Sequence, residues 1–344
     1  MHPVHIAPLT PDALPLDAYS SVAVLLDQNT AAHCYPRLRP YLPAHTCIQI
    51  RSGEEQKHIQ TCQEIWHALT YLARADRSSV LLNLGGGVIG DMGGFCAATY
   101  QRGIDFIQIP TTLLAQVDAS VGAKLGVDFD GLKNQIGLFG EPRLVWIDPA
   151  FLQTLPEQEL RSGFAEIIKH CLIADAQKWQ SIRGQTDIRQ QDLPDLIQHS
   201  VAIKTQIVQE DPRERGRRKC LNFGHTLGHA LETFSLSGQG LPRLLHGEAI
   251  AVGMVAEAWL SHQKCGLPQA DYEAIRVYMQ AVFGRVPILP AHLPEVIRYA
   301  QHDKKNKGQQ VRAALLGGAI GQCTFDVPLT DGEIESAFLA YLND

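Results

Sequence analysis

No Cys-x-x-Cys pair occurs in this sequence, whose eight cysteines are scattered from Cys34 to Cys323. A chain of this length does not need disulfides to hold together, so the expected compartment is reducing and cytoplasmic. Long apolar runs are missing as well. The longest, residues 249–260, is interrupted by Glu257 and falls far short of the roughly 18 residues that a membrane span needs. The opening MHPVHIAPLTP has Pro and His where a secretion signal needs a basic end and an apolar run, so none is expected. Positive charge is not in excess: 30 Lys and Arg face 36 Asp and Glu, a net charge of −6. The molecule as a whole therefore has no electrostatic reason to gather on nucleic acid or anionic lipid, and any basic site must be local. Charged residues are slightly few at 19%, yet 45% of the chain is hydrophobic, which excludes disorder.

What remains is a globular chain of 344 residues with an unusually full set of 14 histidines. Length alone favours about two domains. In the first part, residues 21–26, 46–50, 79–84 and 106–109 are short aliphatic or β-branched runs, and residues 54–72 carry helical spacing with Ile59, Ile65, Trp66 and Leu69 on one side. That order predicts a parallel sheet covered on both faces. Beyond Asp148 the texture turns helical, over residues 157–173, 193–208, 221–234, 247–262 and 272–282, with a strand at 311–316. The expected architecture is an α/β domain over 1–148 and a mostly α-helical domain over 149–344.

Gly85-Gly-Gly-Val-Ile-Gly-Asp91 follows the third strand and opens a helix of small residues. Glycines there let a pyrophosphate approach the backbone, and the helix N-terminus offers it free amides. The same loop also suits a tight turn packed by glycines. A dinucleotide fingerprint wants an acidic residue at the end of a neighbouring strand, and Asp27, ending the first, is a better ribose partner than Asp105.

Asn222-Phe-Gly-His225-Thr-Leu-Gly-His229 sets two imidazoles four residues apart, on one helical face and about 6 Å apart along its axis. Thr226 stands where a zinc protease needs Glu, so that chemistry is not supported. Glu166 and Lys169 are three apart upstream, and His246 opens a later helix. Glu166, either His225 or His229, and His246 would supply the three ligands of a catalytic divalent metal. Two basic clusters, Arg213 to Lys219 and Lys304 to Lys307, together with Lys124 and Lys133, suit either solvated faces or a small anionic substrate.

Several segments taken in order resemble one family, 3-dehydroquinate synthase: the glycine loop, Ala98-Thr-Tyr-Gln-Arg102-Gly103, Pro110-Thr-Thr-Leu-Leu-Ala-Gln-Val-Asp118, Gly131-Leu-Lys-Asn134, Arg161-Ser-Gly-Phe-Ala-Glu166-Ile-Ile-Lys169, Leu221 to His229, His246-Gly-Glu248 and Asp303-Lys-Lys305. The resemblance implies an N-terminal NAD-binding domain, a helical metal-binding domain, an active site in the cleft between them, and a homodimer. It assigns zinc or cobalt to Glu166, His225 and His246, and makes His229 and Glu214 proton-transfer groups. Asp27, Glu54, Lys57, Gly86, Gly87, Asp91, Thr111, Thr112, Asp118 and Thr154 would contact NAD, and Lys133 would lie between cofactor and substrate. Lys124, Asn134, Lys169, Lys204, Arg218, Asn222 and one of Lys304 and Lys305 would hold the substrate's phosphate and carboxylate, with Arg102 reaching in from the partner subunit. Lys124 and Lys169 also count among the catalytic candidates.

The family's reaction turns 3-deoxy-D-arabino-heptulosonate 7-phosphate into 3-dehydroquinate and phosphate, the second step of the shikimate pathway. Hydride leaves to NAD, phosphate is eliminated, the hydride returns, and an internal aldol step closes the ring, so the net chemistry is that of a lyase. Ala123 and Leu125 depart from the family pattern, which has Gly and Thr at those places. The alternatives are a sibling cyclase acting on a sugar phosphate without a carboxylate, a metal-dependent polyol dehydrogenase, and a catalytically silent NAD-binding protein.

Overall fold

Strand β2 (Val22–Asp27) shows why the first part of the chain reads as continuous apolar runs: its first five residues are all buried. Ala23 and Leu25 face a core shared with Ile65, Leu69 and Met92, whereas Val24 and Leu26 face one shared with Leu38, Leu82 and Ile109. A strand covered on both sides has no polar face to alternate with. The structure is a computed structural model that describes residues 3–130, 132–238, 240–301 and 310–343. It divides into two units, Met1–Pro156 and Glu157–Asp344.

In the first unit β2 is joined by β1 (Val4–Ile6), β3 (Thr46–Ile50), β4 (Val80–Gly85), β5 (Asp105–Pro110) and β8 (Leu144–Ile147). They form a six-stranded sheet in the order β1-β8-β5-β4-β2-β3, with every pairing parallel. Helices α1 (Gln28–His33), α2 (Tyr35–Leu38), α3 (Ile59–Tyr71) and α4 (Gly87–Thr99) accompany it. The chain steps from β2 to β3 on one side and then crosses to β4 on the other. Open parallel sheets bind ligands outside the carboxyl ends of strands at such a reversal, and here Asp27 and Gly86 sit at those two ends.

Three expectations change. The helix expected over 54–72 is broken, because Glu54–Gln56 forms a separate 3₁₀ turn and His58, in an extended conformation, caps α3 by accepting from the Thr61 amide at 3.3 Å. A β-hairpin that the periodicity did not reveal, β6 (Lys124–Phe129) with β7 (Leu132–Phe139), follows the sheet's fifth strand. The first unit also runs past 148, since Phe151 in the 3₁₀ turn Pro149–Thr154 buries itself in the same core as Leu9 and Trp146.

The second unit contains α5 (Glu157–Ala174), α6 (Ala176–Ile182), α7 (Leu193–Glu210), α8 (His225–Leu236), α9 (His246–Cys265), α10 (Gln269–Phe283), α11 (Leu293–Gln301) and α12 (Asp331–Asn343). Strands β9 (Val311–Leu316) and β10 (Cys323–Leu329) pair antiparallel. Helix α9 packs against α5, α8, α10, α12 and β9, which explains why it holds the longest apolar run: a helix buried nearly all round needs no polar face. Among the described residues no helix is long and apolar enough to cross a membrane. The helix expected from 221 begins only at His225, because Gly224 turns the chain with φ +79° and Arg217–Asn222 forms its own 3₁₀ turn.

Candidate active site

Ser162 and Glu166 lie one turn apart on the same face of α5. The Ser162 Oγ accepts the Gly247 amide at 3.0 Å, and Gly247 lies directly against the Ser162 backbone, where no larger residue fits. This pins the first turn of α9 to α5 and brings His246 to Glu166. The Glu166 carboxylate is wholly buried, ion-paired with Lys169, and lies 3.4 Å from His225 Nε2 and 3.6 Å from His246 Nε2. Burial alone would raise its pKa, but Lys169 and His225 outweigh that and hold it well below the usual carboxylate range.

The imidazoles are oriented from behind. His225 Nδ1 meets the Phe223 carbonyl at 3.1 Å, and His246 Nδ1 meets Glu232 Oε2 at 3.1 Å. Each contact fixes the ring's orientation with Nδ1 towards an acceptor and Nε2 towards Glu166, as second-layer partners do for metal-binding histidines, whose Nε2 must give up its proton to bind a cation. Burial and Lys169 push His225 down to about 4. Burial also works against a charge on His246, but Glu166 and Glu232 overcome it and raise that ring to about 9.

Both Glu166 oxygens lack a hydrogen bond of normal geometry, and the imidazole separations are too long to be one. They are close to the spacing of roughly 3.3 Å between two ligands on a tetrahedral zinc ion. His229 completes the group, its ring centroid 5.1 Å from that of His225 and 5.6 Å from that of His246. The nitrogens of His225, His229 and His246 lie within 4.8 Å of one another. A divalent cation is what such a donor set fits.

Next to this group, residues 211–222 fold around Asp211, a residue the sequence reading did not single out. Its carboxylate accepts the amides of Arg215 at 3.0 Å, Gly216 at 2.7 Å and Arg218 at 3.1 Å. Within the turn so formed, Glu214 adopts φ +57° and accepts Asn222 Nδ2 at 2.6 Å. Of the basic cluster only Arg218 turns inward, its guanidinium donating to the Pro212 carbonyl at 2.7 Å. Arg213, Arg215 and Arg217 are exposed, and Lys219 pairs with Asp326 at 2.5 Å. Lys169 and Lys204 are both buried, on α5 and α7. Lys304 and Lys305 lie outside the described residues.

The first unit gathers a second set. Lys57, buried at the end of the 3₁₀ turn Glu54–Gln56, donates to Asp91 Oδ2 and to Asn134 Oδ1, each at 2.6 Å, and Lys133 lies 3.7 Å from Glu54. Burial lowers the Lys57 pKa, but Asp91, Glu54 and Asp128 together reverse this and raise it. Asn134, expected among the substrate residues, is thus tied to the expected cofactor residues. Asp27 caps α1 by accepting the Thr30 amide at 2.8 Å. Gly86 and Gly87 begin α4, whose N-terminus has no side-chain cap, and a Cβ on Gly86 would press on Thr112 at 3.0 Å. Thr111 donates to the Gly85 carbonyl at 3.0 Å, Asp118 lies in the π-helical turn Ala115–Ala119, and Thr154 ends the 3₁₀ turn. Uncapped amides behind a glycine loop are the donors that a pyrophosphate requires. Arg102 and Lys124 are exposed.

Two family profiles match the chain, 3-dehydroquinate synthase N-terminal over residues 47–162 and 3-dehydroquinate synthase C-terminal over residues 163–306. The chain belongs to the 3-dehydroquinate synthase family. It is 42% identical over 302 residues to the 3-dehydroquinate synthase of Parabacteroides distasonis, covering 87% of this chain and 85% of that one. It is 42% identical over 335 residues to that of Bordetella pertussis, covering 93% and 91%. Among solved structures, 2-epi-5-epi-valiolone synthase from Streptomyces hygroscopicus, with NAD+ and Zn2+ bound, superposes with a TM-score of 0.87 at 27% identity, over 100% of this chain and 97% of that one. A probable glycerol dehydrogenase from Sinorhizobium meliloti shares the fold at a TM-score of 0.65 and 15% identity, over 99% and 96%.

The two departures from the 3-dehydroquinate synthase pattern have structural consequences. Ala123 holds φ +58°, a conformation its methyl group disfavours. Leu125 supplies no hydroxyl to a ligand. Its side chain is buried against Gly94 of α4 and anchors the hairpin to the core.

Proposed function

We propose that this chain, an enzyme of the 3-dehydroquinate synthase kind, converts 3-deoxy-D-arabino-heptulosonate 7-phosphate to 3-dehydroquinate and phosphate, with residue roles as follows. Glu166, His225 and His246 hold a zinc or cobalt ion, and Asp27, Gly86, Gly87, Thr111, Thr112, Asp118, Thr154 and the group around Lys57 hold NAD. When bound, NAD supplies reversible hydride removal, and the metal acidifies the alcohol being oxidised. Glu232 and the Phe223 carbonyl keep the two imidazoles aimed. Lys169, neutralising Glu166 from within the core, places its charge beside the substrate's anionic groups. Lys204, Arg218, Asn222, Lys124, Asn134, Lys304 and Lys305 bind phosphate and carboxylate, and Arg102 does so from the partner subunit of a cytoplasmic homodimer. His229 and Glu214 move protons.

The observation that carries this reading is the buried, under-bonded Glu166 carboxylate facing two pre-oriented imidazoles in a chain that matches both halves of the family. The sibling cyclase has weaker support, since a solved relative of that kind, 2-epi-5-epi-valiolone synthase, is 27% identical, against 42% for curated 3-dehydroquinate synthases. The test is one assay with two sugars. Purified protein with NAD and zinc or cobalt is expected to release inorganic phosphate from the heptulosonate phosphate with no net NADH. Accumulating NADH would indicate a dehydrogenase, and turnover of sedoheptulose 7-phosphate alone would indicate the sibling.

A further inference from the structure

Glu257 is fully buried in the middle of α9 and belongs to none of the groups named so far. Its carboxylate accepts the Gly224 amide at 2.6 Å through Oε2 and the Leu227 amide at 3.0 Å through Oε1. These are donors of the first turn of α8, the turn that carries His225, and α8 has no side-chain cap of its own. An acidic group at a helix N-terminus satisfies amides that the helix cannot, and it complements the helix dipole.

The placement follows from α9. His246, Ile250, Gly253 and Glu257 recur at spacings of four, three and four, so they lie on one face. Along that face Glu257 meets the start of α8, Gly253 lies against Gly224 and Gly228, Ile250 lies against Gly228, and His246 meets Glu232. The two helices therefore run antiparallel, closely packed through glycines. A carboxylate clamps them at each end: Glu232 from α8 onto His246, and Glu257 from α9 onto the turn bearing His225.

We propose that Glu257 is a positioning residue for the metal centre, acting through the first turn of α8 to hold His225 in register with His246 and Glu166. The inference rests on the metal-binding role assigned to those three residues. Without the carboxylate, two buried amides lose their acceptor, the turn shifts to find another, and the His225 ring moves with it.

The test uses metal-free full-length protein titrated with Co2+, read by visible absorption and by competition with a chelator, for wild type, E257A and E257Q. E257A is expected to weaken Co2+ binding by about 10- to 100-fold and to change the absorption spectrum, while E257Q, which keeps one acceptor oxygen, recovers part of both. M279A, on α10, serves as a control that lowers the melting temperature without altering affinity or spectrum. Hydrogen exchange at Gly224 and Leu227 in the wild type gives a readout that does not depend on a variant folding, and both amides are expected to be strongly protected. Wild-type affinity and spectrum in E257A, or rapid exchange at both amides, overturns the role of Glu257 alone. Failure of the wild type to bind Co2+ overturns the metal assignment itself, and this inference with it.

Discussion

Each unit of the molecule buries a charge, and the two solve the problem in opposite ways. In the first, Lys57 is enclosed but fully served, with Asp91 and Asn134 each at 2.6 Å. In the second, Glu166 is enclosed and under-served, with Lys169 on one side and two imidazole nitrogens at 3.4 and 3.6 Å on the other. A buried charge is tolerated only when paired and hydrogen-bonded. Lys57 meets that condition from the chain alone, so its site is complete before any ligand arrives. Glu166 meets it only in part, and the remainder is what a cation supplies. Under the roles proposed above, the first site would be a scaffold for the cofactor and the second a socket for the ion.

The largest effect that would break this contrast is on the socket. His246→Ala removes one imidazole and strands Glu232, so metal content should fall from stoichiometric to near zero and turnover by at least about 100-fold. Metal analysis after dialysis decides it, and retained stoichiometric metal would sink the ligand assignment. On the scaffold side, Lys57→Met leaves Asp91 without its buried partner. It should cost about 3 kcal/mol of unfolding free energy in a urea titration, with metal content unchanged. A loss of metal with no loss of stability would invert the comparison.

The smallest effect concerns the turn built on Asp211. Burial raises the Asp211 pKa, but the three amides and Arg218 outweigh it, so the net direction is down. Asp211 therefore stabilises the turn at pH values above the ordinary carboxylate range, and that contribution is lost as pH falls through its lowered folded value. Asp211→Asn should reduce kcat/KM for the sugar phosphate roughly tenfold, as expected for losing one charged hydrogen bond, and should remove the acid-side change in the turn's amide exchange. Unchanged exchange at Gly216 and Arg218 in this variant would show that the turn holds without the carboxylate.

The strands of the first unit were legible because burial on both faces leaves an uninterrupted aliphatic signature, as at Val22 to Leu26. The β6–β7 hairpin was not. Lys124 and Phe129 are exposed at its ends, Leu125 and Val127 are buried between them, and the hairpin is held by its contact with α4 rather than by a repeating pattern. The candidate site was legible as residue types and less so as groups. Asn134 reads as one more polar residue near a phosphate site until the fold ties it to Lys57. By charge pattern alone Arg218 does not differ from Arg215 and Arg217; the resemblance picks it out, and the turn around Asp211 is what sends it inward. Glu232 carried no signal, since a glutamate on a helix is ordinarily a solvated residue, and Glu257 showed only as the one charge inside the apolar run 249–260, with nothing to say what it meets.

By itself the sequence determined the two-part architecture, the doubly covered central strands, the chemistry present and the family, because hydrophobic period, glycine loops and histidine spacing are local properties of the chain. Tertiary structure alone decided which charges are buried and what completes them. That choice depends on how closely helices approach, through Gly247 on Ser162 and Gly253 on Gly224, and a close approach is a relation between segments distant in sequence. It is also what converts Glu166, His225 and His246 from three separate polar residues into one site.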